Sequence, residues 1–395
     1  MMEWEQASKK DDAIVIPDGW IHIHYYEALN TLFRIENSLR IFVYIVLKNR
    51  FFDKWCDINI MSDDVEQATI KTIAKKRKGQ AQDYGYLGYN VNCPVMYLTS
   101  GELIRIITDD NYWKYFKSYF PASKQIIKHK LDEIGVIRNS LAHFRPLKPE
   151  DVEVIKNNAQ HALSQVDHFL QQLGSCFNIV PTNTQDNWYL SLSPLSNELC
   201  DLALTQCEDE VWVNLTFKYH AKSIYSPKIS PQRKSYGYLL LNPITPSILE
   251  YYGNITKYAT CLTETSADAL GYKPEKPSFS KSFSIFFNRD VIKEYYPDIK
   301  NDIELLLSTM KEETDLILSD NLARGKLVSV ARVSATLRQG KEGNQYWHVD
   351  TDATLCPDTK GSFPEYWGDT WLFSSMLTST YKYPWMPIEV SKFAL

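Results

Sequence analysis

The sequence has no apolar stretch long enough to cross a bilayer. Its longest run, Ile41 to Leu47, is far short of the roughly 20 residues a spanning helix needs. The opening residues Met1-Met2-Glu3-Trp4-Glu5 lack a basic segment followed by an apolar one, so no secretory signal is expected and the cytoplasm is the expected compartment. Cysteine is sparse and unpatterned: seven residues, an odd number, with no CxxC pair. That argues against a disulfide framework or a zinc site and fits a reducing environment. There is no Walker A, GxGxxG, GxSxG or HExxH motif, no internal repeat and no low-complexity tract.

Positive charge is also lacking. The net charge is -5, which is not the global signature of a polyanion binder. The deficit is uneven, however. Residues 1–180 carry 22 basic and 22 acidic side chains, which leaves 21 basic against 26 acidic beyond them. Any RNA contact is therefore expected to be local and to lie in the first half.

With 395 residues, 44% hydrophobic and 23% charged, the chain has the makeup of two or three globular domains. Residues 1–19 are polar and read as an arm. From Trp20 to about Trp55, Leu29, Leu32, Phe33, Leu39, Phe42, Val43 and Val46 recur at helical steps. Thr99 and Glu102 have capping-box spacing before a short helix. Trp113, Phe116 and Phe120 read as core anchors. Ile127, Leu131, Ile134 and Leu141 mark one helix face, and Val152 to Leu173 another, with Pro149 opening that helix and Gly174 as its expected cap. Residues 176–187 read as a linker. Beyond it the period changes to alternation, with strands expected near 211–219, 236–242, 279–287, 327–337 and 346–355 and a helix over 301–322. The expected fold class is therefore an all-α helical bundle (20–175) followed by a mixed α+β domain (188–395). His348, Asp350 and Asp352 form the one metal-like cluster, and strand alternation explains it. His161 and His168 read as surface or packing residues.

The informative stretch is Arg138-Asn139-Ser140-Leu141-Ala142-His143, followed by Phe144-Arg145-Pro146-Leu147. Arg138 falls on the apolar face of its helix, where a cation is costly unless it meets a partner or a ligand phosphate. Glu36, one turn before the supporting Arg40 in the first helix, is the carboxylate expected to pair with Arg138 and fix its fork; the plain reading is an i,i+4 pair of Glu36 with Arg40. Pro146 disfavours helix at Arg145, so the helix is expected to end near Phe144, with His143 in its last turn. RNA carries its own nucleophile, the 2′-OH, beside the scissile phosphate. Cleavage then needs a proton carrier, which His143 supplies, and a positive fork for the phosphorane, which Arg138 supplies, with Asn139 adding an amide hydrogen bond. The products would be a 2′,3′-cyclic phosphate and a 5′-OH, and no metal or other cofactor is called for. Five residues at about 100° each put Arg138 and His143 roughly 140° apart on an ideal helix. They converge only if the helix end distorts or two protomers share a cleft, which favours a homodimer. Lys75, Lys76, Arg77 and Lys78 form the densest basic run; with Tyr84, Tyr86 and Tyr89 after it and with Arg145, it is the candidate RNA contact. The plain reading is a solvated helix end.

These residues resemble the HEPN superfamily, whose nucleases carry R-x4-6-H with a polar residue after the arginine. Ile137 to Leu147, Tyr97-Leu98-Thr99-Ser100-Gly101-Glu102-Leu103 and Glu36-x-x-Leu39-Arg40 are similar to a prokaryotic defence and toxin subgroup, over residues 20–173. The resemblance implies a helical bundle, a dimer with a composite cleft, metal-independent endoribonuclease activity on tRNA or mRNA, and control by an antitoxin or a phage-derived trigger. A non-catalytic HEPN module that binds RNA, nucleotide or protein is the alternative. No resemblance extends to residues 188–395.

Overall fold

The computed structural model describes residues 8–10, 13–15, 23–60, 68–85, 93–176, 179–225, 228–230, 233–242, 244, 246–264, 268–270, 278–320, 325–339, 343 and 345–351. A hairpin of β1 (Ser8–Lys10) and β2 (Ala13–Val15) comes first. α1 (Ile23–Phe51) follows and ends in a 3₁₀ turn at Phe52–Asp57. β3 (Asn59–Ile60) pairs with β4 (Ala68–Thr69), which leads into α2 (Ile70–Asp83). α3 (Ser100–Thr108), α4 (Trp113–Phe116), α5 (Lys124–Ala142) and α6 (Pro149–Gly174) complete the first half.

The second half opens with α7 (Asn187–Leu192), β5 (Cys200–Gln206), β6 (Trp212–His220), β7 (Ser223–Tyr225), β8 (Lys228–Ser230) and β9 (Arg233–Leu241). Next come α8 (Pro246–Leu249), α9 (Gly253–Tyr258), β10 (Cys261–Glu264), β11 (Asp268–Leu270) and β12 (Ser278–Asn288). The long α10 (Arg289–Asp320), β13 (Val328–Gln339) and β14 (Gln345–Thr351) end the described part. The protein is thus mixed α+β. One antiparallel sheet has the order β10-β12-β6-β5 with β11 also on β12, and a second has the order β14-β13-β9-β7 with β8 also on β9.

α1 is the central element. Every residue from Ile41 to Leu47 is buried. A helix that is apolar all round must be covered all round. α3, α5 and α6 cover one side. The second half covers the other: the Tyr44 hydroxyl donates to the Thr260 carbonyl, Lys48 Nζ donates to the Thr256 carbonyl at 2.8 Å, and the Phe52 ring meets Tyr258 and Tyr295. The first sheet divides two cores. Along β12, Phe286 joins the helical core, while Phe283, Ile285 and Phe287 face the core built on α10. Alternation along a strand sends neighbours to opposite faces. Phe217 and Phe283 are register partners across β6 and β12, and their rings stack at 4.6 Å.

The stretch 20–175, expected to be all-α, contains the short strand pair β3-β4, and the expected arm 1–19 carries the hairpin β1-β2. Leu29 and Phe33, expected in the buried stripe, are 45% and 40% exposed. The helix expected over 301–322 begins instead at Arg289 and runs through Pro297. Proline removes one helical hydrogen bond, which masks such a helix in the sequence. β5 has no counterpart among the expected strands, although its residues alternate between buried and exposed. Gly174 is the last residue of α6 rather than its cap, and Ser175 caps with an ordinary φ of -102°. The expected linker is anchored: Cys176 is buried, and Gln206 N donates to the Ile179 carbonyl at 2.7 Å. Tyr86, Tyr89 and Asp352 lie outside the described residues, as do the strand residues expected beyond 351.

Candidate functional site

α5 buries Ile127, Leu131, Ile134 and Leu141 against its neighbours, and its last turn presents the motif. The chain leaves the helix through two backbone hydrogen bonds. Phe144 N donates to the Leu141 carbonyl at 3.0 Å and Arg145 N donates to the Ser140 carbonyl at 2.9 Å. This closure requires a left-handed residue, and Phe144 fills that place with φ 56° where glycine is usual. The helix therefore ends at Ala142, two residues before the expected stop, and His143 is its cap. The Tyr25 hydroxyl donates to the Leu141 carbonyl at 3.1 Å and ties this end to α1.

Arg138 points from α5 toward α1. Its Nε donates to Glu36 Oε2 at 3.3 Å and its Nη1 to Asn139 Oδ1 at 3.4 Å, while Nη2 has no partner among the described residues. Glu36 is held on every side. Arg40 Nη2 donates to its Oε1, and Ser100 Oγ donates to Oε2 at 2.6 Å. Arg40 is fixed in turn by Asn37 Oδ1 at 2.9 Å and by the Leu98 carbonyl at 3.0 Å. Burial alone would raise the Glu36 carboxyl, but Arg40, the Ser100 hydroxyl and Arg138 bring it below the ordinary carboxylate value. Burial lowers the Arg40 guanidinium, and Glu36 opposes that shift. The apolar side of the cleft comes from Leu32, Leu39, Ile104 and Ile134. The space is about 20 Å³, enough for one water. It admits one atom group beside Arg138 rather than a base or a sugar.

His143 and Asn139 lie on a different side of α5. Both are exposed, and the His143 ring nitrogens have no partner among the described residues. They share their face with Val136, 66% exposed, and with Phe144, 82% exposed. Within one copy Arg138 is held by Glu36 and reaches Asn139 with its Nη1, while His143 is exposed at the helix end.

The basic run divides. Lys75 and Lys76 are exposed and Lys78 is half-buried. Arg77 turns inward, with Nη1 and Nη2 bidentate on the buried Glu102 at 2.6 and 2.9 Å, and Nη1 also on the Tyr97 carbonyl. The assignment of Arg77 to RNA contact is corrected accordingly: it pins α2 to the start of α3. Arg145 is exposed beside the motif. The expected capping box forms, with Thr99 N donating to Glu102 Oε2 at 2.8 Å, so Glu102 both caps α3 and pairs with Arg77. Sequence reasoning missed Ser100 and Asn37. Ser100 follows the capping threonine, and that position could have signalled a hydroxyl facing Glu36.

His161 is exposed, and His168 meets Asp209 at 3.0 Å, as surface residues do. Among the described residues no group of His, Cys, Asp and Glu side chains is placed to hold a metal, and no helix is long and apolar enough to cross a membrane. What the site offers is an anchored guanidinium with a free edge, and one turn on an unpartnered imidazole. No family model, curated protein or solved structure matches this chain.

Proposed function

We propose that the protein is an endoribonuclease of HEPN type, acting as a homodimer in a toxin or anti-phage role. The observation that carries this reading is the divided motif: among the described residues, Arg138 is fixed by Glu36 with Nη2 unused, and His143 is exposed with both ring nitrogens unused. A cation pinned by a shared carboxylate is pre-organised for phosphate, which binds a guanidinium fork. A second copy placed on the face that carries Val136, Asn139, His143 and Phe144 buries exposed apolar surface and sets two imidazoles beside one phosphodiester. One imidazole removes the 2′-OH proton as that oxygen attacks phosphorus. The other protonates the departing 5′ oxygen. The Arg138 fork, whose Nη1 reaches Asn139 at the border of that face, neutralises the phosphorane oxygens between the two events. Lys75, Lys76 and Arg145 supply exposed charge for the RNA backbone. RNA provides the nucleophile, so the reaction needs no metal, and cleavage in EDTA is expected. An antitoxin or a phage-derived trigger would restrain or release it.

A second reading, a non-catalytic HEPN module, is favoured by the same Glu36–Arg138–Arg40 cluster, which is a sufficient structural reason for Arg138. Wild type and His143→Ala separate the two. Expression of wild type should give RNA fragments with 2′,3′-cyclic phosphate ends, and His143→Ala should abolish them, a loss of at least about 100-fold. Intact RNA from both, under conditions where the wild type is folded and dimeric, would leave the binding module as the better reading.

A further inference from the structure

A cleft of about 480 Å³ opens where the two halves meet, between the end of α1, α4 and the start of α10. That volume falls in the range of small-molecule sites. We propose that it binds a guanine nucleotide. The proposal does not rest on the ribonuclease reading.

The charges of the cleft are sorted. On one wall the Arg50 guanidinium lies 5.1 Å from the centre of the Tyr115 ring; Lys114, outside the lining, has its Nζ 4.9 Å from the same centre. On the other, Asp290 and Glu294 stand one turn apart on α10, both exposed and neither in an ion pair among the described residues; Asp290 lies in the helix's first turn, and Glu294 accepts from the Tyr295 hydroxyl, which leaves each carboxylate with acceptor positions to spare. Like charges at i and i+4 disfavour a helix unless something answers them. The nearby Lys293 does not, since it pairs with Asp186 at 3.2 Å. A ligand that fits carries an anion at one end and N–H donors at the other.

The amides narrow the choice. Asn49 Oδ1 accepts from Thr260 Oγ1 at 2.8 Å, and Asn288 Oδ1 accepts from Asp290 N at 3.0 Å. Each oxygen keeps one lone pair, and each NH₂, with no acceptor among the described residues, is free to donate into the cleft. The cleft therefore offers carboxylate acceptors next to amide donors. Guanine presents N1–H and N2–H₂ on one edge and O6 and N7 acceptors beside it, which matches that order. Adenine places an acceptor, N1, where a carboxylate would repel it.

The walls suit a flat ring. Tyr119 and Tyr295 line the cleft, and Tyr295 stacks on Tyr258 at 4.3 Å. Phe52 lines it too, with φ 52°, a left-handed conformation that a bulky side chain rarely adopts. Its ring stands edge-on against that stacked pair, 5.3 Å from Tyr258 and 5.5 Å from Tyr295. Strain of this kind gathers at binding sites. The base would stack on the tyrosine side, with the phosphate toward Arg50.

Calorimetric titration of the full chain with GMP and GTP, and with IMP and AMP as controls, tests the proposal. Guanine nucleotides should bind with a dissociation constant below about 100 μM, IMP about 10-fold more weakly for want of N2–H₂, and AMP weaker still. D290N and E294Q, both at exposed positions, should each weaken GMP binding about 10-fold with unchanged thermal melting. R138A should bind GMP as wild type does, which separates this cleft from the motif. No heat with GMP or GTP at millimolar concentration, equal affinity for AMP, or wild-type affinity in folded D290N and E294Q would each overturn it. So would preferred binding of a zwitterionic amino acid.

Discussion

Phe144 holds a backbone conformation that glycine adopts without strain, and it exposes 82% of its surface while doing so. A left-handed L-residue costs about 1 kcal/mol or more. Among the described residues no ring contact or core packing of Phe144 repays that; under the proposed function, burial against a second copy or RNA would. Phe144→Gly should therefore raise stability by about 1 kcal/mol in urea unfolding, while lowering cleavage or dimer affinity. A variant that loses stability would show that the turn is not strained.

Glu36 gives the second expectation at this scale. Glu36→Gln leaves Arg40 and Arg138 facing a neutral amide in a mostly buried site, which should cost about 3 kcal/mol. The pH dependence has a definite sign. The folded carboxyl lies below its ordinary value, so its contribution is complete above the ordinary range near pH 4.3 and is lost as pH falls through the folded value. Wild type should shed stability in that acid window, and Glu36→Gln should lack that component of the slope. The sequence made Glu36, Arg40 and Arg138 legible, because charges inside apolar stripes demand partners. Ser100 and the Leu98 carbonyl were not legible, since contacts between residues 64 and 58 positions apart depend on how helices dock.

At the scale of elements, two carboxylates act as clamps. Asp302 in α10 accepts from Asn254 N and Ile255 N at 2.7 and 3.0 Å and so caps α9 from a distance. Glu313 accepts from Lys326 N, Leu327 N and Val328 N at 2.7 to 3.0 Å and fixes the entry to β13. Asp302→Ala should cost about 1–2 kcal/mol by urea titration, the usual range for a lost cap. α10 also carries Pro297 in its interior, and Pro297→Ala should raise the melting temperature by restoring a hydrogen-bond donor. An unchanged or lower melting temperature would mean that the proline ring packs usefully. Period and capping signals located most helices and the principal strands. Proline hid the start of α10. β5 escaped because its polar positions resemble a loop until a neighbouring strand is known.

For the whole molecule, the cores of the two halves are not separable. Phe169 of α6 lies against Trp212 of β6 at 5.2 Å, and α1 donates from Tyr44 and Lys48 into the segment after α8. One calorimetric transition is expected for the full chain. A fragment of residues 1–175 should aggregate or melt well below it, because removing the rest uncovers Phe169 and the far side of α1. Two independent transitions, or a fragment as stable as the whole, would contradict a shared core. The sequence suggested two units with a linker; that the segment 176–187 is tied to a sheet edge follows from pairing that composition does not reveal.

The clasp between Tyr44 and Thr260 joins residues 216 positions apart. A polypeptide leaving the ribosome delivers Arg138 and His143 well before it delivers residue 260, so the far flank of α1 waits in water for much of synthesis. Long-range closure is slow and leaves unfinished surface open to other chains. The nascent protein thus passes through an interval in which its motif is already outside the exit tunnel but the helix beneath that motif is only half sheathed, and a chaperone or a neutralising partner would have its opening there.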